Sequence, residues 1–103
     1  MKKIKTIENS GDTLYSIITT NHYRKQVRLA QKQGKDLSKL IEIVKLLANG
    51  KPLHQKHRDH KLIGNFGGAR ECHIEPDWLL IYRIDNNKLI LELLETGSHS
   101  ELF

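Results

Sequence analysis

The sequence predicts an α+β domain in which a pair of helices packs on one face of an antiparallel-rich, twisted sheet. Three observations carry this prediction: a β-branched stretch near the N-terminus, two amphipathic helical segments after it, and three apolar strand segments in the last third. A chain of 103 residues supports one hydrophobic core. We therefore expect a single domain over residues 14–103, preceded by a polar N-terminal extension over residues 1–13.

The predicted elements begin with a strand and a helix. The stretch LYSIITT (14–20) is rich in β-branched residues, as is typical of a strand. A helix follows, capped by Thr20 or Asn21 and ended by Gly34. One face of this helix carries a row of basic residues, Arg24, Arg28, Lys32 and Lys35.

A second helix begins at Asp36 or Ser38 and ends at Asn49-Gly50. Its apolar residues follow the i, i+3, i+4, i+7 spacing of a buried helix face: Leu37, Leu40, Ile41, Val44 and Leu47. The short joint between the two helices favours an antiparallel pair.

Three strands are predicted after a polar connector over residues 51–68. They cover residues 69–75, 78–84 and 88–95, with a hairpin turn at 85–87 between the last two. Alternation predicts that one side of the last strand is apolar, with Leu89, Leu91 and Leu93. The core is expected to end at about Glu95, and the last eight residues, TGSHSELF, resemble a tail.

The composition limits the cellular setting and the partners. The net charge is +5 and the pI is about 9.4, which favours a polyanionic or acidic partner. A single cysteine excludes an intrachain disulfide and fits a reducing compartment. The N-terminus lacks the apolar segment of a signal peptide, and no stretch has the length of a membrane span. We expect a cytoplasmic protein without membrane contact.

Six histidines raise the question of a metal site. His54, His57 and His60 recur every three residues, and His73 or His99 could supply a fourth nitrogen to zinc. Against this, the triplet lies in a connector beside a proline, and neither a cysteine pair nor an HExxH motif accompanies it. We therefore predict no metal and no cofactor.

Metal-free acid–base chemistry is the second hypothesis for the histidines. His60, His73 and His99 come from three different segments, and Asp77 lies in the turn between two strands. Two imidazoles can share phosphodiester cleavage: one takes the proton of a ribose 2′-hydroxyl and the other protonates the leaving 5′-oxygen. Each residue also has an ordinary structural explanation, and Phe103 could simply cover the end of the core. Spacing alone leaves the function open.

The motifs resemble a known family. RDHKLIGNFGGARECHIEPDWLLIYRI, containing the block DHxLxGxxxxxRExHIxPDWLLIY, and the ending LLETGSHSELF are similar to the YafQ branch of the RelE/ParE superfamily of bacterial type II toxins. The similarity extends over about residues 14–103. It implies a RelE-like β-α-α-β-β-β fold.

The resemblance implies an mRNA interferase, a ribosome-dependent endoribonuclease that cuts mRNA in the A site without a metal and leaves a 2′,3′-cyclic phosphate. The family's functional residues match here as His60, His73, Asp77, His99 and Phe103. By this similarity, His60 and His99 are the expected proton-transfer pair, with His73 and Asp77 supporting charge and orientation. Which histidine is the base and which is the acid stays open.

Phosphate contacts and partners follow from the same resemblance. Arg83 is the expected phosphate contact and Arg70 a weaker one. The implied partners are the 70S ribosome with its mRNA and a cognate antitoxin, through which operator DNA is bound indirectly. The alternative is a ParE-like toxin or another non-catalytic binding module that acts on a protein such as gyrase. That branch shares the fold but lacks this histidine set.

Overall fold

A computed structural model describes residues 13–64 and 67–103, so the expected extension over residues 1–13 lies almost wholly outside the described part. The elements are β1 Ser16–Thr19, α1 Asn21–Lys32, α2 Leu37–Ala48, a 3-10 turn Gln55–His57, β2 His60–Lys61, β3 Arg70–Glu75, β4 Trp78–Asp85, β5 Ile90–Gly97 and α3 His99–Leu102. The predicted α+β order is confirmed. It gains a two-residue strand inside the connector and a short C-terminal helix where a tail was expected.

The strands form one sheet in the order β1-β5-β4-β3-β2. β1 runs parallel to β5, and every other neighbouring pair is antiparallel. A parallel pair needs a long connection, and here both helices and the strands β2, β3 and β4 lie in the chain between β1 and β5. β4 lies in the middle, which explains why its sequence is almost continuously apolar.

The helix ends follow from capping side chains. Thr20 is the N-cap of α1, since its hydroxyl accepts a hydrogen bond from the Tyr23 amide at 2.9 Å. Asp36 caps α2 in the same way through the Ser38 amide. Between the helices, Gly34 has φ +82°, a left-handed conformation that ends α1 and that glycine adopts without strain.

The core lies between the helices and one face of the sheet. From the two central strands it includes Trp78, Leu80, Tyr82, Leu91 and Leu93. The predicted alignment of Leu89 with the last two of these is wrong: Leu89 precedes β5, has φ +55° and is 45% exposed. The cause is a longer turn, in which the Asp85 carboxylate accepts hydrogen bonds from the Asn87 and Lys88 amides.

The core also extends beyond Glu95, contrary to expectation. Thr96 is 1% exposed and accepts a hydrogen bond from the Trp78 indole at 3.0 Å. Its hydroxyl donates to the Leu79 carbonyl at 2.7 Å, and its amide donates to the Gln26 side chain at 2.9 Å. The chain is therefore firmly held three residues before His99. Among residues 13–64 and 67–103, no helix is long and apolar enough to cross a membrane.

Candidate active site

The strand register brings the predicted site residues to one edge of the sheet. Leu79 of β4 is paired with His73 of β3 on one side and with Gly97 of β5 on the other. His99 follows Gly97 by two residues, at the start of α3. Asp77 lies in the β3–β4 turn that connects His73 to Leu79. Histidines separated by 26 positions in the sequence therefore become neighbours, with ring centroids of His73 and His99 5.8 Å apart.

Glu71 lies at the centre of this edge. Its carboxylate oxygen Oε1 is 3.3 Å from Nε2 of His60 and 3.7 Å from Nε2 of His73. One oxygen of Glu71, one ring nitrogen of His73 and one of His99 lie within 4.8 Å of one another. Only 5% of Glu71 is exposed, so its charge is little screened by water.

Glu71 was not predicted as a site residue from the sequence. The available signal was the alternation of β3, which places Glu71 and His73 on the same face of the strand. What could not be foreseen was the pairing of β2 with β3, which sets His60 directly opposite Glu71.

His99 is oriented by Asp77. The Asp77 carboxylate accepts a hydrogen bond from the His99 backbone amide at 3.0 Å and lies 3.1 Å from Nδ1 of the ring. These two contacts, first the amide and then the ring, hold the pKa of Asp77 below its usual value. A carboxylate can only accept, so Nδ1 carries the hydrogen and Nε2 holds the lone pair when the ring is neutral.

His60 has an acceptor at each ring nitrogen. Nδ1 lies 2.6 Å from the Arg58 carbonyl, which can only accept a hydrogen bond. Nε2 faces the Glu71 carboxylate. The ring therefore lies between a backbone carbonyl and a buried carboxylate, with Nε2 directed into the cluster.

His73 is the most enclosed of the three imidazoles, with 11% of its side chain exposed. Its Nδ1 lies 3.1 Å from the Pro76 carbonyl, so Nε2 points towards Glu71. The turn that carries Asp77 thus fixes the ring of His73 as well. One backbone turn orients two of the three histidines.

A capping box stabilises the start of α3, which carries His99 and is followed by Phe103. The Ser98 hydroxyl accepts from the Glu101 amide, and the Glu101 carboxylate accepts from the Ser98 amide at 2.8 Å. The pattern Ser-x-x-Glu in TGSHSELF was the unused signal for this helix. The Phe103 ring is 59% exposed, with its centroid 6.4 Å from that of His99.

The two arginines expected to contact phosphate are paired with protein groups. Arg83 donates to Glu92 at 2.8 Å and to the Gly67 carbonyl at 3.1 Å. Arg70 alternates with Glu71, so its side chain leaves the opposite face of the sheet. Neither guanidinium contacts the three histidines, and the phosphate role of both stays a prediction.

Arg70 instead belongs to a polar cluster that holds the segment before His60. The Tyr82 hydroxyl donates to Asp59 at 2.5 Å, and the Arg70 Nε donates to the same carboxylate at 3.2 Å. Burial, and then the hydrogen bond to Asp59, raises the pKa of Tyr82 above its usual value. His60 therefore follows a residue anchored to the central strand.

The histidine triplet that was considered for a metal, and predicted not to bind one, does not converge. His54 accepts from the Lys56 amide as the cap of the 3-10 turn, and Nδ1 of His57 lies 2.6 Å from the His73 carbonyl. Both histidines therefore have structural contacts. Within the described ranges, the set of groups close enough to hold a metal is Glu71, His73 and His99.

Comparison with protein families identifies a toxin family over most of the chain. A family described as "Bacterial toxin of type II toxin-antitoxin system, YafQ" matches residues 15–103. Two Escherichia coli relatives named "mRNA interferase toxin YafQ" are similar to this chain over 85 residues, which are 82% of this chain and 90% of each relative. The identity is 44% for the strain K12 protein and 41% for the strain B protein.

Solved structures of bacterial toxins are also similar to this chain. The toxin in the crystal structure of the E. coli DinJ-YafQ toxin-antitoxin complex is 41% identical, with a TM-score of 0.81 over 87% of this chain and 98% of that chain. A metal-bound toxin from Helicobacter pylori is 42% identical, with a TM-score of 0.83 over 86% of this chain and 99% of that chain.

Proposed function

Because this chain belongs to the YafQ family of toxins of bacterial type II toxin-antitoxin systems, we propose that it is an endoribonuclease that cuts mRNA in the ribosomal A site. The observation that carries the proposal is the arrangement of three imidazoles around the buried Glu71 carboxylate. Two relatives that are 41% and 44% identical are named mRNA interferases, which supports the same activity for this chain. The net charge of +5 suits a substrate and a ribosomal surface rich in phosphate.

His99 is the general base in this proposal. Asp77 holds the hydrogen on Nδ1 and leaves the Nε2 lone pair to take the proton of the 2′-hydroxyl. The imidazolium that forms is stabilised by the Asp77 carboxylate. The 2′-oxygen then attacks the adjacent phosphorus, the bond to the 5′-oxygen breaks, and a 2′,3′-cyclic phosphate results.

His60 is the general acid. The Arg58 carbonyl orients the ring through Nδ1, and Nε2 faces the Glu71 carboxylate, so a hydrogen on Nε2 can be given to the leaving 5′-oxygen. We assign to His73 the stabilisation of negative charge on the phosphorane. Its Nε2 belongs to the same cluster, 3.7 Å from the Glu71 carboxylate. Phe103 offers an exposed ring beside His99, on which a base can stack.

This chemistry requires no metal ion, and the His99 nitrogen used as the base would lose its lone pair to one. We therefore expect cutting to persist in EDTA at a magnesium concentration that keeps ribosomes intact. Loss of cutting that only a transition metal restores would instead assign Glu71, His73 and His99 to a metal cofactor.

Mapping mRNA 5′ ends by primer extension on translating ribosomes tests the activity itself. Wild-type protein should give codon-phased cuts that are absent with His99→Ala, which removes the proposed base. Circular dichroism should show that the variant is folded. Identical cleavage patterns for the two proteins would contradict the proposal, and inhibition of gyrase supercoiling would support the non-catalytic alternative.

The proposal includes a cognate antitoxin, as the E. coli relative has in the DinJ-YafQ complex. A basic toxin suits an acidic segment of such a partner. Operator DNA is then bound through the antitoxin. In a gel-shift assay, operator DNA should be retarded by the complex and not by this protein alone. Because ribosomes are the proposed target, we expect the protein to act in the cytoplasm.

A further inference from the structure

A cleft lined by positively charged side chains lies beside His73. It has a volume of about 510 Å³ and is bounded by the 3-10 turn, the end of β3 and the start of α2. Lys39, Lys56 and Arg58 contribute positive charges to its wall, and Glu75 contributes the single carboxylate. His73 belongs both to this wall and to the histidine cluster.

The charges in this cleft do not cancel. Lys39 and Glu75 form an ion pair at 2.6 Å and neutralise each other. In the described part of the chain, neither the Lys56 ammonium nor the Arg58 guanidinium contacts a carboxylate. Two uncompensated positive charges therefore face a cavity that begins at the active site, which is the arrangement expected for a phosphate subsite.

The backbone links these cations to the proton-transfer group. Arg58 has φ +49°, a left-handed conformation that is uncommon for a residue other than glycine and is often found at functional sites. This conformation directs the Arg58 carbonyl to Nδ1 of His60 at 2.6 Å. The same residue therefore orients the proposed acid and supplies a charge to the cleft.

We propose that this cleft binds the phosphodiester that follows the cut one in the 3′ direction of the mRNA. The assignment rests on the proposed function: His60 protonates the leaving 5′-oxygen, which belongs to the downstream nucleotide. The Arg58 carbonyl holds the ring of His60. We therefore expect the sugar-phosphate backbone of the downstream nucleotide to run from His60 towards the side chains of Arg58 and Lys56. Their charges neutralise its 3′ phosphate.

A chemical double-mutant cycle tests this contact. Two mRNAs are compared in single-turnover cleavage on programmed ribosomes, one natural and one with a neutral methylphosphonate at the linkage 3′ of the cut. The protein variants are wild type and Lys56→Gln/Arg58→Asn, in which asparagine tolerates the left-handed conformation of residue 58. Lys88→Gln, an exposed lysine of the β4–β5 turn, is the control for loss of charge.

For wild type, the neutral linkage should slow cutting about 10-fold, the scale of one charge-assisted hydrogen bond. The double variant should be slow on the natural mRNA and lose nothing further on the neutral one. Equal losses for wild type and the double variant would overturn the inference, as would a loss of rate in Lys88→Gln as large as in the double variant. If wild type does not cut the natural mRNA, the proposed function itself fails.

Discussion

Asp77 and His99 are joined by two hydrogen bonds to one carboxylate oxygen, from the His99 backbone amide at 3.0 Å and from its ring nitrogen at 3.1 Å. The first contact holds the start of α3, and the second fixes the tautomer of the imidazole. A carboxylate in a turn between two strands thereby sets both the position and the tautomer of a histidine near the C-terminus.

Asp77→Asn should impair cutting without unfolding the protein. An amide can still accept from the backbone amide of His99, but it does not stabilise the imidazolium and can present its NH₂ to the ring instead. We expect a 10²- to 10⁴-fold loss in single-turnover cleavage rate, the usual range for disturbed acid–base catalysis. A rate within threefold of wild type would show that the pair is only structural.

Glu71→Gln should separate the effect of the Glu71 charge from that of its packing. The change keeps the volume of the buried side chain but removes the negative charge between His60 and His73. We expect at least a 100-fold loss in cleavage rate, measured on ribosomes and accompanied by an unchanged circular dichroism spectrum. As a matched control, Glu95→Gln removes a carboxylate of β5 that lies 4.0 Å from His22, outside the histidine cluster, and it should cut nearly as well as wild type.

Tyr82→Phe tests the anchor of the His60 segment. The hydroxyl donates to Asp59, the residue before His60, and its loss should cost about 1 kcal/mol of unfolding free energy. Cleavage should fall further than this small destabilisation explains, because His60 is less firmly positioned. A denaturant titration and the cleavage rate, measured at a temperature where the variant is fully folded, distinguish the two effects.

Deletion of residues 99–103 should abolish cutting and leave the core folded. The deletion removes His99 and Phe103 but keeps Thr96, whose buried hydrogen bonds close the core. We expect a cooperative thermal transition near that of wild type and no detectable cleavage. Ser98→Ala is the milder companion: loss of the cap weakens α3 by about 1 kcal/mol and should reduce cutting only in part. Loss of the cooperative transition on deletion would contradict this division.

The thiol of Cys72 should make the free energy of unfolding depend on pH in the alkaline range. Burial raises the pKa of this group from 9.0 to about 12. Above pH 9 the unfolded chain therefore loses a proton that the folded chain keeps, so the native state loses relative stability as the pH rises towards 12. Denaturant unfolding of wild type and Cys72→Ala between pH 8 and 10.5 should show the difference between them shrinking with pH. A constant difference would contradict the prediction.

The sequence by itself determined the two helices, their caps and the central strands. Periodic apolar residues and capping side chains act over a few positions, so the local pattern in 37–47 or around Thr20 is sufficient. The extent of the last turn depends on side-chain hydrogen bonds, which the alternation of apolar residues does not reveal. Leu89 is a residue type common in strands, but the Asp85 carboxylate accepts hydrogen bonds from the Asn87 and Lys88 amides and so lengthens the turn to include Leu89.

Only the tertiary structure decided which polar groups meet. His60, His73, Asp77 and His99 could be proposed from their residue types and from a family resemblance, but their convergence depends on the pairing of β2 with β3 and of β4 with both neighbours. The same pairing brings Glu71 between the histidines and turns Arg70 away from them. The physical reason is that strand register is a long-range property: a one-residue slip would move each of these side chains to the other face of the sheet.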